Sequence, residues 1–302
     1  MRIGINGTGV SSRGSLEAVV AHAREADAQG FASYWLAQFM SVDALTALAV
    51  IAGEASRIEL GTAVVPVHGR HPLALAMQAL TTQAATRGRL QLGIGLSHQP
   101  IVEDQMGLSY QRPALYMSEY LTALDSLLRH GEARLRGELL RCEASVVRMS
   151  ETPPPLLLAA LGPRMLELAG SAAAGTTLWL AGPRVIREHV APRIRQAAER
   201  AGRPKPRIVV GLPICVTDDA GRARRNVQRA LAVTSEFASY QTVLAREGVR
   251  GPEDVALIGN ESRVAASIGE LARAGATEFI AMELCKTDDE VQRTREFLRG
   301  LL

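Results

Sequence analysis

The side chain best suited to proton transfer in this chain is His98, because it follows the glycine-punctuated run Leu92-Gly93-Ile94-Gly95-Leu96-Ser97. An imidazole titrates near neutrality, so at the open end of a strand it is suited to act as a general acid. The same letters also fit a structural histidine bonded to a backbone carbonyl, and taken alone the residue leaves both roles open. A second chemical signal is Leu161-Gly162-Pro163-Arg164. Glycine at an N-cap and proline at the first helical position start a helix whose free N–H groups face the strand end. Such an end binds phosphate, and Arg164 adds charge, although an ordinary strand-to-helix turn has the same pattern. Asn6, Gln38 and Glu283 complete the set, each closing an apolar run.

Those runs define the scaffold. Strand-like segments centre near Ile3, Tyr34, Leu60, Leu92, Leu157, Leu178, Val209 and Ile280, and most are followed by a helical pattern. Leu16, Val19, Val20, Ala23 and Ala26 share one helix face, and Val291, Phe297, Leu298 and Leu301 repeat it in the last helix. Strands alternating with helices end to end, with no Pro/Gly/Ser-rich linker, predict one α/β domain over residues 1–302, a single (β/α)8 barrel with short insertions. The insertions are expected at Gly131 to Met149, which reads as a hairpin, and at Ser239 to Ile258, a long polar excursion. In a barrel the functional groups lie on loops at the carboxyl ends of the strands.

Composition narrows the function classes. The 302 residues are 47% hydrophobic, enough for a large core, and the net charge of +3 is spread over many helices. That distribution argues against nucleic acid or a membrane surface as partner. Only Lys205 and Lys286 of the 34 basic residues are lysines, a bias without functional weight. Cys142, Cys215 and Cys285 lie far apart, which predicts buried thiols and neither zinc nor a disulfide framework. Met1 leads directly into a strand, so the cytoplasm is the expected location. Gly7-Thr8-Gly9 is no dinucleotide fingerprint, because Ala32-Ser33-Tyr34-Trp35-Leu36 lacks the acidic residue that would hold a ribose.

Taken together, Gly61 to Pro66, Arg70-His71-Pro72, Gln78-Ala79-Leu80, Arg89-Leu90, Gly93 to His98 and Ala159 to Arg164 resemble the luciferase-like superfamily, in its branch that uses the deazaflavin coenzyme F420. Asp43 to Ala47 and Gly275 to Glu278 extend the similarity over nearly the whole chain. The resemblance implies a TIM barrel that binds coenzyme F420 at the carboxyl end of its strands and passes a hydride to or from a small molecule. It implies a non-prolyl cis peptide at Ala63-Val64 against the ring. It also implies a coenzyme site made of Asn6, Ala63, Val64, Gly95, Ser97, His98, Leu161, Gly162, Pro163 and Arg164. Related dehydrogenases carry Asp-His where this chain has Ala37-Gln38, and glutamine is no general base. That departure, with His98 as proton donor and Gln38 and Glu283 beside it, tilts the expectation toward an F420H2-dependent reductase acting on a C=C or C=N bond, within natural-product biosynthesis. The alternatives are an FMN-dependent monooxygenase on the same barrel and a catalytically silent flavin-binding protein. A homodimer through the early helices is a further expectation from the resemblance.

Overall fold

The computed structural model describes residues 1–12 and 14–302. Its eight barrel strands fall where the apolar runs place them: β1 (Arg2–Asn6), β2 (Ser33–Leu36), β3 (Glu59–Thr62), β4 (Leu90–Gly95), β5 (Leu156–Ala159), β6 (Gly175–Trp179), β7 (Arg207–Val216) and β8 (Glu278–Glu283). Each pairs with the next in parallel, and β8 returns to β1 through Arg2 opposite Glu278, so the sheet closes. Closure leaves no unpaired edge, and parallel pairing requires a crossover after every strand.

The crossover helices are α1 (Leu16–Ala28), α2 (Ala44–Ile51), α3 (Pro72–Ala85), α4 (Pro113–His130), α5 (Pro163–Ala172), α6 (Ala191–Arg200) and α7 (Glu261–Ala274), and α8 (Asp288–Arg299) follows the last strand. Their starts follow cap chemistry. Ser15, Asp43 and Asn260 accept backbone N–H bonds at the heads of α1, α2 and α7, and Thr287 with Glu290 forms a capping box on α8. His71 caps α3 through its ring nitrogen, with Pro72 at the first helical position.

The core has two shells. Most buried side chains lie between strands and helices, whereas Trp35, Leu157, Val209 and Ile280 form a separate cluster inside the barrel. Trp35 explains one glycine directly: a Cβ on Gly61 of the adjoining strand would stand 2.3 Å from its ring. Below this layer, at the amino ends of the strands, the fully buried Glu278 accepts hydrogen bonds from Ser33 and Trp35 and pairs with Arg207. Arg207 also reaches Glu59 at 2.8 Å and Gln91 at 2.9 Å.

Some expectations are corrected in detail. The hairpin exists as Glu132–Arg136 against Arg141–Ser145. The second excursion is mostly helical, however, and the departure from the simple repeat begins earlier, with helices Ala220–Ala230, Ala232–Glu236 and Ala238–Glu247 before a short strand, Leu257–Gly259, that pairs with β7. These helices bury few side chains, so their sequence lacks a continuous apolar stripe. In α1, Val19, Ala23 and Ala26 are buried but Leu16 is exposed; in α8, Leu298 is buried while Val291 is exposed, and Leu301 lies exposed beyond the end of the helix. Cys142 and Cys215 are buried and Cys285 partly so, with its thiol 3.5 Å from the Thr294 hydroxyl. Among the described residues no helix is long and apolar enough to cross a membrane.

Candidate functional site

The carboxyl ends of the strands open into two cavities of about 230 and 180 Å3. They share a wall made of Asn6, Ala63, Val64, Ser97, His98, Trp179 and Tyr240. That wall begins with the Ala63-Val64 peptide, which is cis, as expected. Both sides of the bulge are tied to neighbouring strands: Ala63 N–H donates to the Leu36 carbonyl at 2.8 Å, and Gln38 N–H donates to the Val64 carbonyl at 3.0 Å. Just below it, the Thr62 hydroxyl donates to the Gly93 carbonyl at 2.7 Å and accepts from Gly93 N–H at 2.8 Å. Gly95 lies behind Val64, where a Cβ would come within 2.7 Å of the valine.

The first cavity runs from this bulge to the head of α5. Leu161 and Gly162 line it, whereas Pro163 and Arg164 do not; both are exposed on the first turn of the helix. Gly162 is the N-cap, no side chain caps the helix, and a Cβ at this position would meet nothing within 4 Å. The N–H groups of that turn are therefore open to an anionic ligand. The turn is anchored from behind. His189, buried, donates from Nε2 to the Leu161 carbonyl at 2.8 Å and accepts at Nδ1 from Arg246 at 2.8 Å. Burial, together with the Arg246 and Arg193 charges, lowers its pKa despite the bond to Leu161, which matches a neutral ring with its proton on Nε2.

The second cavity is apolar, with Phe39, Pro66, Leu231, Phe237 and Met282 around Gln38 and Thr8. Its outer wall comes from the inserted helices. The His98 ring lies flat on Phe237, with centroids 3.8 Å apart and planes within 3°, and its Nδ1 is 3.3 Å from the Ser239 hydroxyl. Burial lowers the His98 pKa from its ordinary value of 6.5. Asn6 is fixed by its neighbours: its Oδ1 accepts from Thr8 N–H at 3.0 Å and from the Thr8 hydroxyl at 2.5 Å, and that hydroxyl accepts from Ala37 N–H at 2.9 Å.

Glu283 is a correction. It lines neither cavity. Its carboxylate lies outside the barrel, bonded to Arg295 at 2.7 Å and to His22 at 3.2 Å, and its side chain is 6% exposed. Burial pushes its pKa up, but the bonds from His22 and Arg295 outweigh burial and hold it below the usual carboxylate range. A carboxylate so engaged has no free edge for a substrate. Sequence reasoning also missed several lining residues: Tyr110, Met165, Trp179, Leu231, Thr234, Phe237 and Tyr240. A signal for the last group exists, since Leu231, Thr234, Phe237 and Tyr240 recur every third residue.

Comparison with known proteins places this geometry. Over 285 residues, covering 92% of this chain and 86% of the other, the chain is 27% identical to the 5,10-methylenetetrahydromethanopterin reductase of Methanolobus tindarius. An F420-dependent secondary alcohol dehydrogenase in complex with an F420-acetone adduct shares the fold at TM-score 0.85 and 16% identity, covering 100% of this chain and 98% of its own. The oxygenating constituent of 3,6-diketocamphane monooxygenase from Pseudomonas putida, in complex with FMN, does so at TM-score 0.77 and 17% identity, covering 99% and 97%. A family model for luciferase-like monooxygenases matches residues 2–278, from β1 through β7 to the start of β8, and with the cavity floored by Ala63-Val64 this chain belongs to that family.

Proposed function

We infer that the protein is a coenzyme F420-dependent oxidoreductase that works as an F420H2-dependent reductase, delivering hydride to a C=C or C=N bond of a small molecule. The observation that carries this reading is the composition of the reactive wall, where, among the described residues, Gln38 and His98 stand and no carboxylate does. Oxidising an alcohol by the related route requires the base of an Asp-His pair, which this chain replaces with Ala37-Gln38; the half-buried His98 remains to move a proton, and in its protonated form it serves reduction. A relative from Mycobacterium tuberculosis and a solved structure whose names carry F420 support the choice of coenzyme.

The residues present fit that coenzyme. Asn6, Ala63, Val64, Gly95 and Ser97 form a slot of small side chains and backbone for a flat ring. Leu161, Gly162 and Pro163 offer the head of α5 to its phosphate, with Arg164 outside to add charge. When bound, the reduced coenzyme supplies the hydride. The chain's own residues then orient the acceptor over the shared wall, exclude water with Phe237 and Tyr240, and supply the proton from His98.

Titration of the purified protein with F420 and, separately, FMN tests the reading. Trp179 lines both cavities, so a bound ring quenches its fluorescence. Tighter quenching by F420, followed by oxidation of F420H2 with an unsaturated acceptor, is the expected result. Preference for FMN with oxygen uptake would instead support a monooxygenase, and binding without turnover across acceptors a silent protein. We place the enzyme in the cytoplasm and in natural-product metabolism, as a homodimer through α2 and α3. Val50 and Met77 on these helices are 45% and 52% exposed, and light scattering at micromolar concentration should give twice the chain mass.

A further inference from the structure

Among the described residues that line the two cavities there is no Asp, Glu, Lys or Arg. A phosphorylated or carboxylated acceptor would be desolvated there without a cation to pair it. A C=N bond takes up hydride most readily as its protonated iminium, which would be desolvated without a carboxylate. The polar groups that remain are neutral, and two of them have an orientation fixed by backbone N–H groups. Ala44 N–H donates to Gln38 Oε1 at 3.3 Å, and Thr8 N–H donates to Asn6 Oδ1 at 3.0 Å. A backbone N–H can only donate, so those atoms are the amide oxygens, and the Nε2 of Gln38 and Nδ2 of Asn6 are left as donors. Among the described residues neither nitrogen has a hydrogen-bond partner, and neither is sealed away as a buried unsatisfied atom. Gln38 lines the second cavity and Asn6 the seam between the two.

We propose that the second cavity takes an uncharged, largely apolar α,β-unsaturated carbonyl compound whose carbonyl oxygen accepts from the side-chain amides of Gln38 and Asn6. This rests on the reductase reading above and narrows it to one acceptor class. The β-carbon receives hydride and a new C–H bond forms there. The electron pair of the C=C bond moves into the bond between the α-carbon and the carbonyl carbon, and the C=O pair moves onto oxygen. The two amides hold that enolate oxygen. A proton from His98 or solvent then reaches the α-carbon, giving the saturated carbonyl compound and the oxidised coenzyme.

Trp179 fluorescence in the coenzyme-free protein reads the class directly, with carvone, phenylpyrroline and cinnamate as probes. Carvone should bind about tenfold more tightly than the other two, a margin set by one or two neutral hydrogen bonds and the cost of burying a charge. Gln38→Glu should reduce carvone affinity by a similar factor, raise that of phenylpyrroline, and leave F420 binding unchanged. Asn6→Asp provides a second variant that keeps the bonds to Thr8. Equal or tighter binding of phenylpyrroline or cinnamate, binding of none of the three, or carvone affinity unmoved by both substitutions would overturn the assignment. Failure to bind F420 with carvone selectivity intact would overturn the coenzyme reading alone.

Discussion

At the scale of single residues, His98 and Gly162 carry the most direct tests. His98→Ala should keep coenzyme affinity and lower turnover by roughly 10²- to 10⁴-fold, the contribution of a positioned general acid. Its pKa is depressed by burial below the ordinary value of 6.5, so the protonated donor becomes the minor form as pH rises through that lowered value. Reduction should therefore speed up as pH falls through that lowered value and slow as pH rises past it, and stopped-flow traces of His98→Ala should show the dependence flattened. Gly162→Val should leave the fold intact, because its Cβ projects into open space, yet obstruct the anion at the head of α5. Each backbone bond lost to a phosphate should cost on the order of 1.5–3 kcal/mol of coenzyme affinity, measured by fluorescence titration. His98 and Gly162 were legible in the sequence because glycine and proline mark backbone geometry that few other residues allow. The misplacement of Glu283 has the opposite origin. Its position at a strand end was right, but its orientation was decided by Arg295 and His22, which nothing in the local sequence connects to it.

Elements were read more securely than the connections between them. All eight barrel strands were legible, since strands buried on both faces read as nearly continuous apolar runs. The helices after β7 were not, because they expose most of their surface and bury only Ala223, Val227, Val243 and Leu244. Phe237 and Tyr240 are therefore the part of the site that sequence reasoning missed, although their spacing carries the signal. One inter-element contact gives a sharp prediction. Arg246, on the helix Ala238–Glu247, donates to His189, which donates to the carbonyl of Leu161 and so fixes the turn that opens α5. His189→Leu should weaken F420 binding by about tenfold, the value of one hydrogen bond to a buried carbonyl. Deazariboflavin without the phosphate should bind His189→Leu as it binds the unaltered protein. Equal loss for both ligands would show that the histidine supports the whole cavity instead of its phosphate end.

For the molecule as a whole, the barrel separates stability from chemistry by placing them at opposite ends. The catalytic mouth is almost free of charge, whereas the amino ends of the strands close on Arg207, Glu278 and Glu59, with Trp35 stacked between the two regions. Arg207 sits over the Trp35 ring at 5.8 Å, and its guanidinium joins β7 to β8, β3 and β4. Removing it strands Glu278, a fully buried carboxylate whose other partners, Ser33 and Trp35, donate neutral hydrogen bonds. Arg207→Met should therefore cost about 3–5 kcal/mol of stability, the penalty of an uncompensated buried charge. The double substitution with Glu278→Gln should recover much of it, because the desolvated charge is then gone. Urea unfolding of both variants measures the difference, and kcat/KM well below the unfolding transition should match the unaltered enzyme. Loss of activity in the folded double variant would mean that the two ends of the barrel are coupled through the Trp35 layer.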